Sequence, residues 1–288
     1  MTSTNNVETA ARLIREGRLV VFPTETVYGL GANALDESAV ERIYRAKQRP
    51  ATSPLIVHVN SVAMAKSLTT EWPALAQELA QKYWPGPLTL VLPKAAHVPD
   101  RVTAGLPTVG IRIPNHPLAL ALIEAAGVPI AAPSANVFTK LSPTHARHVE
   151  ETLADYVLDG GPAQVGIEST VVSLVGDHPI LLRPGVLSIE GLEGGLEGAT
   201  PVEGAHPAPG MRAKHYSPRT RLVLGPPPAS GRGFRLSLPS NPRDAAAQLY
   251  ATLHELDEMN YDWIAVELPP DTPEWAGVRD RLKRAAHS

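Results

Sequence analysis

Residues 19–31 read LVVFPTETVYGLG. Leu19, Val20, Val21 and Phe22 form a short apolar run closed by Pro23, the pattern of a buried strand. Then the character changes: 24–34 is polar, punctuated by Gly29 and Gly31. A buried strand running into hydroxyls, a carboxylate and glycines is how an open sheet places a site at a strand end. A glycine-containing turn would read the same way. Upstream, Val7, Ala10, Ala11, Leu13 and Ile14 recur at helical spacing, with Gly17 as the stop. Downstream, Asp36 is placed to cap a helix carrying Val40, Ile43 and Ala46 on one face and a Glu41–Arg45 pair on the other. That helix must end before Pro50.

Further along, the patterns predict strands over 55–59, 88–92, 128–132, 156–158, 170–175 and 180–182. Val109, Ile111 and Ile113 alternate with Gly110 and Arg112 as another strand. Helices are predicted over 62–68, 74–83 and 117–126, the last stopped by Gly127. Ser142-Pro143 reads as an N-cap with proline at the first helical position, so 144–153 is predicted helical. Strands and helices mix without strict alternation. The expected class is α/β, α+β-like: one twisted mixed sheet flanked by helices. After Pro184 the composition shifts to Gly, Glu, Ala and Pro, a connector with a short helix near Ile189. Strands at 221–224, 234–238 and 263–268 and helices at 244–256 and 275–286 then make a small C-terminal α/β domain.

Composition narrows the function. Hydrophobic residues are 43% and charged residues 19% of 288, enough to build a packed core. With 26 Lys+Arg against 29 Asp+Glu, the net charge of −3 argues against a global basic field for nucleic acid and leaves a local patch open. No cysteine is present, which excludes disulfides, thiol nucleophiles and thiolate zinc, and fits a cytoplasmic protein. Residues 1–18 have no uninterrupted apolar core, so no signal peptide is expected. No apolar run approaches the ~18–20 residues of a membrane span. The 29 prolines are scattered and end apolar runs, as loop stiffeners do.

The common phosphate grammars, G-x-x-x-x-G-K-[ST] and G-x-G-x-x-G, are absent, as are H-E-x-x-H and G-x-S-x-G. The ten histidines are scattered, and no metal site built from side chains is expected. Four polar stretches at the edges of apolar runs carry the chemistry. The first is 23–31. The second is Lys47-Gln48-Arg49 to Pro54, whose cations suit either the helix dipole or a polyphosphate; His58 follows, in a strand. The third is Arg112 in an apolar strand, either a buried ion pair or a fork for a ligand carboxylate. The fourth joins Pro133-Ser134-Ala135-Asn136, Glu168-Ser169-Thr170 and Arg183-Pro184-Gly185. The sum is rich in hydroxyls and cations and poor in general bases, which suits stabilising anionic charge.

The runs PTETVYGLG (23–31), KQRP (47–50), PLIVHV (54–59), WPGPLT (84–89), GIRIP (110–114), PSAN (133–136), STVV (169–172) and LRPG (182–185), in that order, resemble the threonylcarbamoyl-AMP synthases, the YrdC-like family. The likeness covers roughly 6–195. PGM (209–211) and HYSP (215–218) resemble the linker of the long, two-domain branch. Two departures stand out: Ser53 replaces the family's usual Asn, and the C-terminal domain is shortened.

The resemblance implies a YrdC-like catalytic domain at 1–195 around a large concave site, a linker or lid at 196–218 and the small domain at 219–288. It implies synthesis of threonylcarbamoyl-AMP and pyrophosphate from L-threonine, bicarbonate (or CO2) and ATP with Mg2+, a separate threonylcarbamoyl transferase then modifying tRNA. Thr26, His58, Arg112, Ala132 and Ser169 take threonine-binding positions. Lys47, Arg49, Ser53, Thr108, Ser134, Ser142, Arg183, His215 and Tyr216 take ATP-binding positions. No residue is assigned a catalytic role, and a monomer is expected. A competing reading is a non-catalytic double-stranded RNA-binding module of the same fold. A third is carbamoyl transfer from carbamoyl phosphate, as in hydrogenase maturation proteins, whose zinc-finger cysteines are missing here.

Overall fold

The computed structural model describes residues 6–189, 208–210 and 215–287. Helix α1 (Val7–Arg15) is capped by the Asn6 side chain on the Thr9 N–H and leads into strands β1 (Val20–Phe22) and β2 (Gly29–Asn33). Helix α2 (Glu37–Lys47) starts where predicted, with the Asp36 carboxylate accepting from the Ser38 and Ala39 N–H groups, and Glu41 pairs with Arg45 at 3.3 Å. There follow β3 (Ile56–His58), α3 (Val62–Ser67), α4 (Ala74–Tyr83), β4 (Leu88–Pro93), α5 (Asp100–Thr103), β5 (Thr108–Arg112), α6 (Pro117–Ala126), β6 (Ile130–Ala131), β7 (Tyr156–Val157), β8 (Thr170–Ser173) and β9 (Ile180–Arg183). These strands form one mixed sheet in the order β7-β1-β2-β6-β3-β5-β4-β8-β9. The mixed, helix-flanked class expected from the sequence is what is observed.

The side-chain period of two decides which face does what. Val21, Leu30, Val57, Ile111, Leu90 and Val172 point to one face and pack with Val40, Ile43 and Leu79 of α2 and α4. Val20, Phe22, Ile130 and Ala132 point to the other, under Ala10, Ile14, Leu122 and Ile123 of α1 and α6. Those two helices cover only the β1–β2–β6 side of that face. Beyond them, over β3, β5, β4 and β8, the same face carries the candidate site.

The helix predicted over 144–153 is not formed; a single 3-10 turn, Ala146–His148, stands there. The reason is tertiary competition for the groups a helix start needs. The Ser142 hydroxyl donates to Glu168, the Pro143 carbonyl accepts from the Tyr28 N–H and the Thr144 carbonyl accepts from the Ala163 N–H. Near Ile189 the described residues are not helical, and the rest of that expectation lies outside the described residues.

The C-terminal sheet is separate: β10 (Arg221–Leu224), β11 (Gly233–Leu236) and β12 (Trp263–Val266) are parallel, in the order β10-β12-β11. Helices α7 (Pro242–Glu258) and α8 (Ala276–Ala285) pack on it through Leu249, Leu253, Val278 and Leu282 against Leu222, Ile264 and Val266. Val27, Leu141, Ile167 and Tyr216 join the same apolar cluster, so this domain shares a core with the segments around the site.

Candidate functional site

On the uncovered sheet face lies a cleft. His58 and Arg112, paired in register on β3 and β5, form part of its floor with Ile56. Its walls are Thr24, Thr26, Val27 and Gly29, Arg49, Ala132 to Ser134, Glu168 with Ser169, and Arg183; Pro209, Gly210, His215 and Tyr216 close it. The polar stretches expected at strand ends meet here: His58 and Arg112 are the last residues of β3 and β5, on a part of the face that lacks a covering helix.

All five expected threonine positions line the cleft. Arg112 is buried: Nε donates to the Gly86 carbonyl at 3.1 Å and Nη1 to Thr26 Oγ1 at 2.8 Å, while Nη2 stands 2.5 Å from Glu25 Oε2 as an ion pair without hydrogen-bond alignment. The buried ion pair expected of Arg112 is present, and its Nη2 has no hydrogen-bond acceptor among the described residues. Thr24 Oγ1 donates to the Val27 carbonyl at 2.6 Å, and Thr26 Oγ1 lies 2.9 Å from Thr24 Oγ1. With the Thr24 proton so used, Thr26 donates to Thr24, accepts from Arg112 and keeps one lone pair for a donor on a ligand. Ser169 Oγ is held by Thr89 Oγ1 at 2.8 Å and Arg183 Nη2 at 3.1 Å.

Of the expected nucleotide positions, Arg49, Ser134, Arg183, His215 and Tyr216 line the cleft, while Lys47, Ser53, Thr108 and Ser142 do not. Lys47 is buried behind it and donates to the Ser134 carbonyl at 2.5 Å and to the Asn136 carbonyl. Burial, with Arg49 nearby, pushes its pKa well down. The Ser53 carbonyl accepts from Arg49 Nε and the Tyr44 hydroxyl. Thr108 lines a smaller adjoining recess that shares Pro54, Leu55, Ile56 and Pro209 with the cleft. The Ser142 hydroxyl is 2.5 Å from Glu168 Oε1. Arg183 gives Nε and Nη2 to the Ser169 carbonyl and Nη1 to the Pro209 carbonyl of the linker.

Burial lowers the pKa of His58 to about 3, with Arg112 adding to the shift, and that of His215 to about 3 against the opposing pull of Glu168. Both rings are neutral at physiological pH. Buried polar atoms are nearly always paired, and exceptions mark function. Here His58 Nδ1, both ring nitrogens of His215 and the Tyr216 hydroxyl are buried without a hydrogen-bond partner. They belong to cleft residues beside three guanidinium groups, the chemistry of a site for a polar, anionic ligand.

Sequence reasoning passed over Glu25 and Glu168 as individual site residues, and over Tyr250 and Arg281 altogether. Arg281 had a signal: it interrupts the apolar stripe Gly277, Val278, Leu282, Ala285 of α8. A cation on a buried stripe needs a partner.

Comparison with known proteins agrees with this geometry. The Sua5–YciO–YrdC family model, described as telomere recombination, matches 12–185, and the model of the threonylcarbamoyl-AMP synthase C-terminal domain matches 187–287. The chain is 50% identical to a threonylcarbamoyl-AMP synthase of Pyrococcus abyssi, over 76% of this chain and 67% of the relative. It is 41% identical to that of Bacillus subtilis, over 99% of this chain and 94% of the relative. The crystal structure of P. abyssi Sua5 complexed with L-threonine superimposes with a TM-score of 0.89 at 39% identity, covering 97% of this chain and 94% of that one. With both family models in sequence and the two-part fold in common, the chain belongs to the threonylcarbamoyl-AMP synthase family.

Proposed function

We propose that this chain joins L-threonine, bicarbonate and ATP into threonylcarbamoyl-AMP, releasing pyrophosphate and water. The product serves threonylcarbamoyladenosine modification of tRNA through a separate transferase. The observation that carries the reading is the set of orphaned polar atoms on His58, His215 and Tyr216, in a cleft whose cations are Arg49, Arg112 and Arg183. Arg112 takes the threonine carboxylate with guanidinium N–H groups that no described residue accepts, those of Nη2 among them. Thr26 and Ser169 take the polar groups of the amino acid, and Ala132 contributes its backbone. Arg49, Ser134, Arg183, His215 and Tyr216 meet the nucleotide. Lys47, Ser53, Thr108 and Ser142 act from behind: Lys47 by holding the Ser134 carbonyl, Ser142 by holding Glu168.

The chemistry needs orientation and charge stabilisation, with no covalent enzyme intermediate. The threonine amine must be neutral to attack carbon. With pKa values of about 3 both cleft imidazoles are weak bases, so the proton leaves through substrate phosphate or solvent. Glu25 and Glu168 are both committed to arginines. Mg2+ accompanying ATP is therefore held by phosphate oxygens and water, as such ions commonly are. The described linker residues close the cleft and keep water from the labile intermediate. We place the domain limits at 1–195, 196–218 and 219–288, and the protein in the cytoplasm as a monomer. Among the described residues no helix is long and apolar enough to cross a membrane.

The test is pyrophosphate release from ATP with Mg2+, with and without L-threonine and bicarbonate, beside Arg112→Lys. Release that needs both co-substrates, with a threonine KM raised in the variant, supports the reading. No release under any combination, with double-stranded RNA still bound in a salt-dependent way, would replace it by the RNA-binding module.

A further inference from the structure

Glu168 is a buried carboxylate on the cleft wall, next in sequence to Ser169. Its charge is answered largely from the other domain. Arg281 of α8, wholly buried, gives Nε to Glu168 Oε2 at 2.7 Å and Nη2 to the Glu168 carbonyl at 3.2 Å. Tyr250 of α7 donates its hydroxyl to Glu168 Oε2 at 3.1 Å. Burial alone would raise the Glu168 pKa; Arg281, Arg183 and the Ser142 hydroxyl more than offset it and hold the pKa at about 2. The same guanidinium gives Nη1 to the Pro184 carbonyl at 3.0 Å, next to Arg183, and sits 5.0 Å over the Tyr216 ring. One side chain of the C-terminal domain thus touches all three segments that present Ser169, Arg183 and Tyr216 to the cleft.

The docking around it is backbone on backbone. A β-carbon on Gly166 would collide with the Ala246 carbonyl of α7, and one on Gly277 with the Gly185 carbonyl. Only glycine permits either approach. Both C-terminal helices therefore reach the two strand-flanking segments of the site without intervening side chains.

We propose that Arg281 and Tyr250 are positioning residues of the synthase site, acting through Glu168 to fix the Ser169 hydroxyl in the threonine pocket. The proposal rests on the reading of Ser169 as a threonine contact. Glu168 is pinned by its carboxylate and its carbonyl to the C-terminal domain. Ser169 is pinned by its carbonyl and hydroxyl to Arg183, whose neighbour Pro184 is tied to the same Arg281. Loosening either donor lets the 168–169 peptide shift and costs threonine its hydroxyl partner; loss of the Tyr250 hydroxyl does so while the hydrogen bonds of Arg183 stand.

The experiment measures threonine and ATP KM, kcat, direct threonine binding by calorimetry and thermal midpoint for the full chain and for Tyr250→Phe, Arg281→Lys and Glu168→Gln. Tyr250→Phe removes one hydroxyl and leaves the ring in its apolar cluster, so it should fold. The expected result is a threonine KM and dissociation constant raised about tenfold, the size of one hydrogen bond to a charged group, with ATP KM within twofold. Arg281→Lys keeps the charge, loses the fork and should raise threonine KM further. If Tyr250→Phe, folded, leaves threonine binding and KM unchanged, the proposal is overturned, whatever happens to stability in the other variants. Equal losses toward threonine and ATP would overturn it too, because they mark a general structural effect. Wild-type chain that neither turns over nor binds threonine refutes the synthase reading itself; wild-type chain that binds threonine without turnover leaves the calorimetric comparison to decide.

Discussion

Glu25 and Arg112 meet at 2.5 Å with both side chains almost completely buried, so the cation assigned to the substrate carboxylate already has a carboxylate partner within the fold. Glu25→Gln leaves that guanidinium charged and unpaired in the empty protein. Breaking a buried pair by one partner costs about 3–5 kcal/mol. A bound threonine carboxylate restores the missing charge. The variant should melt lower than wild type, yet gain more thermal stability from saturating L-threonine. Equal threonine-induced shifts in the two proteins would show that Arg112 does not meet the ligand carboxylate.

The pH dependence of stability should begin near neutrality. His148 stacks on His254 with ring centroids 4.0 Å apart, and burial, with His254 and His145 adding, lowers its pKa from 6.5 to about 3. A base with a depressed folded pKa is bound by more protons in the unfolded chain between those values, so stability is complete above pH 6.5 and falls as pH drops toward 3. His58 and His215 act in the same window. Glu168 acts lower, its contribution being lost between its ordinary 4.5 and about 2. Urea unfolding of His148→Gln between pH 7 and 5 should show a shallower loss than wild type. An identical slope would remove His148 from the account.

Lys47 was expected among the phosphate-binding residues, and the structure gives it two carbonyl partners instead. Lys47→Met leaves both acceptors unsatisfied, for a loss of about 2–4 kcal/mol in urea unfolding. Its ATP KM should keep the salt dependence of wild type, whereas that of a variant losing a cleft cation, such as Arg49→Gln, should rise less steeply with salt. A large ATP defect with unchanged stability would return Lys47 to the phosphates.

Gly277→Ala forces a methyl against the Gly185 carbonyl. Overpacking of this kind costs about 1–3 kcal/mol. The strain falls where α8 meets the 183–185 segment, so a lower thermal midpoint should come with weaker threonine-dependent turnover. A fully active, fully stable Gly277→Ala protein would show that this contact yields freely.

Local pattern carried much of the fold. The apolar run before Pro23, the Asp36 cap and the alternation at 109–113 each specify an element through neighbours in sequence, and β1, α2 and β5 stand there. The stretch after Ser142-Pro143 has an equally good local signature and is not a helix, because Glu168 and Tyr28, far along the chain, claim its groups. The cleft was legible where motifs put polar residues beside apolar runs, as at Thr26, Arg112 and Ser169. Glu168, Tyr250 and Arg281 were hidden because their meaning arises only when two domains are brought together. The role of His58 likewise depends on a face left bare by α1 and α6, which no local pattern announces.

Among the described residues, the cations lining the cleft are guanidinium groups, and its imidazoles are held neutral by burial down to about pH 3. A guanidinium keeps its charge across the range in which proteins work. On the proposed function, the cleft's charge then stays constant while the substrates titrate: threonine loses its ammonium proton, and dissolved CO2 gives way to bicarbonate. Lys47, behind the wall, is a group of the protein whose pKa burial pushes well down, and the pH profile of turnover is a titration of the reactants with the Lys47 ammonium beside them.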